Sequence, residues 1–133
     1  ADLQLNYIEY YKQNKLINGT SVDAKNIKHQ YSEVNIPGHT KMGDQDIREF
    51  LMKKTKVPSR LYKTTKNNRL ILKIYVDDKG EITNVVVMKS IEIDFDAKVI
   101  EVLKKYKGGF VPTKHRGVYR SFILKLPITI YFE

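Results

Sequence analysis

The last stretch of the chain alternates with period two. Phe122, Leu124, Leu126, Ile128, Ile130 and Phe132 are all apolar, whereas Tyr119, Ser121, Ile123, Lys125, Thr129, Tyr131 and Glu133 are mostly polar. Successive side chains of a β-strand point to opposite faces, so this pattern predicts a long strand with one buried face. Pro127 interrupts the run. A proline has no amide hydrogen to give a neighbouring strand, so it belongs on an edge or at a bulge. The expectation is a long edge strand, and an open edge is a template on which another chain can add a strand.

The preceding segments supply something for that strand to pair with and pack against. Residues 70–76 alternate Leu70, Leu72, Ile74 and Val76 with Ile71, Lys73 and Tyr75, which predicts a second strand. Asp77-Asp78-Lys79-Gly80 reads as a hairpin turn, with Gly80 free to take positive φ. The chain then returns over 81–88, with Ile82, Val86 and Met88 on one side and Val85 and Val87 on the other. A short helix is expected from Gly43, capped by Asp44, with Ile47, Phe50 and Leu51 on one face and an end near Lys53 or Lys54. A second is expected from about Phe95 to Tyr106, capped by Asp94 and striped with Phe95, Val99, Val102, Leu103 and Tyr106 before Gly108-Gly109 ends it. Ile36-Pro37-Gly38 marks a boundary. Ahead of it, residues 1–32 are rich in Tyr and Asn and only weakly periodic. Leu5, Ile8 and Tyr11 share a helical face there and Asn18-Gly19 reads as a turn, but no role follows.

With 133 residues the chain has room for one domain, and with no Cys it excludes disulfide frameworks, zinc ribbons and thiol nucleophiles. Its apolar runs are too short to span a membrane as a helix. His29, His39 and His115 lack metal-ligand spacing, and Asp77, Asp78, Asp94 and Asp96 read as turn and cap residues. No nucleophile elbow or phosphate loop occurs, so the chain is expected to have no catalytic residues, no metal and no cofactor. The net charge is +9, nearly all of it beyond residue 42. Two acid-free stretches carry the excess. Residues 53–73 hold Lys53, Lys54, Lys56, Arg60, Lys63, Lys66, Arg69 and Lys73, and residues 104–125 hold Lys104, Lys105, Lys107, Lys114, Arg116, Arg120 and Lys125.

The pieces also occur in a recognisable order. Pro37-Gly38, the helix from Gly43, Val57-Pro58, the strand at 70–76, Lys79-Gly80, the return strand, Phe95-Asp96-Ala97, Phe110-Val111-Pro112, Gly117 and Leu126-Pro127-Ile128 follow one another over about residues 33–133. In this order and spacing the chain resembles the C-terminal domain of TonB energy transducers, particularly the divergent Bacteroidetes-type members. Val57 stands where that family has Tyr, and Phe110 where it has Trp. The fold the resemblance implies is α+β: a three-stranded antiparallel sheet with two helices packed on one face, here following an N-terminal extension. The implied division is 1–32 for the extension and 33–133 for the TonB-like domain.

The resemblance further implies a periplasmic, non-enzymatic linkage. An inner-membrane motor of the ExbB/ExbD type, reached through an anchor, would drive it by proton-motive force. Its last strand would grip the TonB box of an outer-membrane transporter by strand addition. Carried over residue by residue, the docking strand is about residues 118–126, with Val118, Arg120, Ser121, Ile123 and Lys125 nearest the partner and Lys54, Lys56, Val57 and Pro58 in the loop beside it. A stand-alone periplasmic binder of the same fold is the alternative. A basic sheet that stacks nucleic acid on Tyr75, Tyr119 or Tyr131 is the weaker one, and the expectation is no nucleic-acid partner. Monomer and strand-exchanged homodimer are both compatible with an open edge.

Overall fold

The computed structural model describes residues 5–59, 61 and 68–130. In chain order they form β1 (Asn6–Lys12), β2 (Lys15–Val22), β3 (Lys28–Tyr31), β4 (Asn35–Ile36), β5 (His39–Thr40), α1 (Asp44–Lys54), β6 (Arg69–Val76), β7 (Ile82–Lys89), α2 (Ile93–Leu103), β8 (Phe110–Val111), β9 (Thr113–His115), β10 (Val118–Arg120) and β11 (Phe122–Thr129). Arg60, Lys63 and Lys66 of the first basic stretch, and Tyr131, Phe132 and Glu133 of the last strand, lie outside the described residues.

The core forms where the alternation is cleanest. Leu70, Leu72, Ile74 and Val76 of β6 are buried, as are Leu126 and Ile128 of β11. They close against Ile47 and Leu51 of α1 and Phe95, Val99 and Leu103 of α2. Full burial of each such side chain contributes roughly 1.5–3 kcal/mol. β6 is the middle strand, antiparallel to β11 on one side and β7 on the other.

The expectation of one three-stranded sheet under two helices is overturned. The described strands divide among four small sheets, ordered β1-β2-β3, β10-β9-β4, β11-β6-β7 and β5-β8, and the fold is mostly β. The difference arises in segments whose side chains carry no burial signal. β1 is exposed at every position except Glu9, so backbone pairing and not a buried face makes it a strand. The turn between β1 and β2 is at Gln13-Asn14, both at positive φ (52° and 64°). Asn18 and Gly19 instead lie inside β2, and the Tyr31 ring crosses Gly19 where a side chain would have to stand.

Three local expectations also change. Thr83 is an extra residue between the pairs Val76↔Ile82 and Tyr75↔Asn84, so Ile82 joins Val85 and Val87 against the core while Val86 and Met88 face out. Asp44 does not cap α1. Gly43 occupies that position, and the Asp44 carboxylate accepts from the Thr40 hydroxyl at 2.9 Å. At α2 it is the buried Asp96, not the exposed Asp94, that satisfies free groups, accepting from the Ser90 hydroxyl and the Ile91 amide. α2 ends at Leu103, leaving Tyr106 to pack between Phe50 and Phe110 and to donate to Asp46 at 2.5 Å. Burial, then the hydrogen bond to Asp46, pushes the Tyr106 phenol up to about 12.

Candidate functional site: the edge of β10 and β11

Among the described residues β11 pairs only with β6, and β10 only with β9. Two observations tell which backbone groups this leaves unpaired. On β11 the Ile130 amide that follows the strand donates to the Asn68 carbonyl, so even-numbered positions turn their backbone toward β6. The odd-numbered Pro127 turns away, and its carbonyl accepts from the Arg48 Nε of α1 at 2.9 Å. On β10 the turn residues Arg116 and Gly117 both have positive φ (46° and 82°), the geometry of a two-residue type I′ hairpin. Its flanking pair, His115↔Val118, exchanges the backbone bonds, and Arg120 follows two residues later opposite Thr113. Even-numbered residues therefore face existing partners on both strands. Tyr119 on β10 directs its backbone away from β9, Ile123 and Lys125 on β11 direct theirs away from β6, and Arg48 closes the open side of β11 at Pro127.

The docking strand expected over 118–126 is thus divided between two sheets. Val118 and Arg120 belong to β10 and are half-buried, Ser121 lies exposed between the strands, and Ile123 and Lys125 are exposed on β11. Phe122 and Leu124, expected in the core, are half-buried against it. The expected loop residues sit beyond the end of α1. Lys54 and Lys56 are exposed, Val57 packs against the core, and the Pro58 carbonyl accepts from the Leu61 amide at 3.0 Å. No hydrogen bond or ion pair among the described residues joins this corner to β10 or β11.

The face beside the edge is basic. Lys125 stands directly across the ladder from Lys73, an arrangement that like charges disfavour. The Lys73 ammonium lies 5.4 Å from the Tyr75 ring centroid and the Lys114 ammonium 5.1 Å from that of Tyr119. Exposed Ile123, Val86 and Met88 interleave with these charges.

What the sequence did not foretell is how residues 5–31 are held against this hairpin. The Glu9 carboxylate accepts from Arg116 Nε at 2.8 Å, from the Tyr31 hydroxyl at 2.5 Å and from the Tyr11 hydroxyl at 2.9 Å. The Arg116 guanidinium lies 3.7 Å from the Tyr7 ring centroid, and the Ser21 hydroxyl donates to the Arg116 carbonyl at 2.7 Å. The Arg116 bond, then that of Tyr31, holds the Glu9 carboxyl down to about 2. Burial, then the Glu9 bond, pushes the Tyr31 phenol up to about 12. His115 next to this cluster is lowered, first by burial and then by the charges of Arg120 and Arg116. The β1-β2-β3 sheet is thereby clasped to the turn that leads into the open edge. A lone Glu and a lone Arg far apart in sequence carry no spacing that would have announced the pair.

His29 bonds Asp23 at 2.9 Å, His39 the Pro37 carbonyl at 3.1 Å and His115 the Asn35 side chain at 2.5 Å. Among the described residues no three His, Asp or Glu gather as a metal site would require. Comparison with family models, with curated proteins and with solved structures finds no match for this chain.

Proposed function

We propose that this chain is a strand-docking module of the TonB C-terminal kind. It takes the extended TonB box of an outer-membrane transporter onto the edge of β10 and β11 in the periplasm, and a motor acting through an inner-membrane anchor pulls on the pair. The observation that carries the reading is the open edge at Tyr119, Ile123 and Lys125, which ends at Pro127. Backbone hydrogen bonds along such an edge give strength with little demand on partner sequence, which suits an adaptor serving several transporters. The neighbouring lysines favour an acidic approach and speed encounter. The same edge serves a stand-alone binder equally, and only the motor coupling distinguishes the two.

The test is a titration of the full chain with a synthetic peptide copying a transporter's TonB box, followed by amide resonances. Shifts or broadening should concentrate at Tyr119, Ile123 and Lys125 and spare the amides of residues 70–76. A uniform response, or none, removes the proposal.

A further inference from the structure

Where the open edge stops, a groove begins. Its volume is about 460 Å³, and it lies between α1 and the end of β11, lined by Arg48 and Met52 on the helix and by Arg69, Pro127 and Thr129 on the sheet. Arg48 spends only its Nε on the Pro127 carbonyl. Its two Nη groups have no bond among the described residues. Arg69, opposite Thr129 in the ladder, is exposed and has no ion pair among the described residues. Glu49 lines the same groove, but its carboxylate accepts from Gln45 one helical turn back, at 3.3 Å. Two arginines with unused donors therefore line one concavity and outnumber Glu49, the one acid in its lining.

We infer that this groove is a carboxylate-binding subsite that reads an acidic side chain flanking the docked strand. This rests on the strand-docking reading above. Pairing cannot continue past residue 127, since that position offers no amide hydrogen and its carbonyl is taken. A docked chain must leave the edge there, and the groove is what it meets. From Lys125 to Thr129 the strand advances about 13 Å, so the acid belongs two to four residues beyond the last paired position. A guanidinium fork matches a carboxylate in charge and in planar geometry, and Arg48 is already oriented by its bond to Pro127. The subsite adds a side-chain requirement to a backbone-driven interaction and sets the direction in which the partner lies.

The experiment uses the full chain carrying Glu133→Gln, which removes the one acidic side chain that follows β11 in the sequence. Three peptides share one Val/Thr pairing segment and differ only outside it, with an Asp-Glu pair on the N-terminal side, the same pair on the C-terminal side, or Asn-Gln on both. The two acidic peptides have the same net charge, so general attraction to a basic protein affects them alike. One of them should bind about five- to tenfold more tightly than both others and shift the Nε–H signals of Arg48 and Arg69. Arg69→Gln should erase that advantage while leaving the neutral peptide's affinity and its shifts at Ile123 and Lys125 unchanged. Arg48→Gln should erase it too. Equal binding by all three peptides, or by the two acidic ones, with the edge amides still shifted, overturns the subsite and leaves strand docking standing. No shift at the edge with any peptide overturns both.

Discussion

At the residue scale, several positions make sense only once distant neighbours are known. Gly80 is one. The Asp77 carboxylate accepts from the amides of Lys79 and Glu81, both at 2.9 Å, which closes the β6–β7 turn and holds the Asp77 carboxyl below its usual range. That turn brings Gly80 to φ +85°, and a Cβ there would stand 2.6 Å from the Phe110 carbonyl oxygen. The turn motif alone foretold the positive φ. It did not foretell that β8 would lie against it, thirty residues on. Gly80→Ala therefore meets two penalties, an unfavourable backbone region and a backbone clash that no rotamer relieves. We expect a loss of about 1–3 kcal/mol in chemical denaturation. A loss under 0.5 kcal/mol would mean that the turn shifts freely and that the Phe110 contact does not constrain it.

At the element scale, β11 carries an internal control for the proposed docking edge. Pro127 already shows that an odd-numbered position tolerates proline, because its missing amide hydrogen would have faced outward. Ile123→Pro should behave the same way, preserving the β11–β6 ladder and the folded state while abolishing peptide docking. Leu124→Pro removes an amide that faces β6 and should cost about 3 kcal/mol or more, seen as a drop in the denaturation midpoint. If both variants unfold alike, or if Ile123→Pro still docks peptide with unchanged affinity, the assignment of the open side is wrong. This is also where legibility in the sequence divides. β6, β11 and both helices were readable because their buried residues recur at strand or helix spacing. Pro127 marks β11 as an edge strand, and β11 stands at the end of its sheet. β1 to β3 were not readable, because Tyr7, Ile8, Tyr10 and Tyr11 are all exposed and follow no period. Nor was the inside–outside order of β7, since the extra residue Thr83 moves Ile82 to the side of Val85 and Val87. The Arg48–Pro127 bond joins residues 79 positions apart, and no local pattern encodes it.

At the scale of the whole molecule, the β1-β2-β3 sheet is attached by chemistry different from that of the core. Of its strand residues only Gly19, Ser21 and Tyr31 are buried, and a small sheet with so little covered surface is marginal by itself. Its persistence depends on the hairpin turn at Arg116-Gly117, and the Glu9 carboxylate is the hub of that contact. Glu9 is held at about 2, below its ordinary 4.5, so the released sheet takes up a proton more readily than the clasped one. The clasp's contribution is complete above about pH 4.5 and is lost as pH falls from there toward 2. Hydrogen exchange should show this as a selective event, in which amides of β1 and β2 lose protection over that range while those of β6 keep theirs. Asp23 and Asp77 are also held low and add acid sensitivity of their own, so the wild-type curve does not by itself name Glu9. Glu9→Gln isolates the effect. It keeps the side chain's size but gives up the charge that Arg116 and both tyrosines address, so β1 and β2 should exchange faster already at neutral pH and with a flattened dependence below pH 5. Superimposable profiles for variant and wild type would show that contacts other than those of the Glu9 carboxylate, such as the Ser21–Arg116 bond and the Tyr7–Arg116 stacking, hold the sheet. Because Arg116 lies in the turn that leads into β10, the same variant also reveals whether loosening the clasp is felt at Tyr119. A docked peptide that protects β1 and β2 from exchange in the wild type but not in Glu9→Gln would place clasp and edge in one cooperative unit.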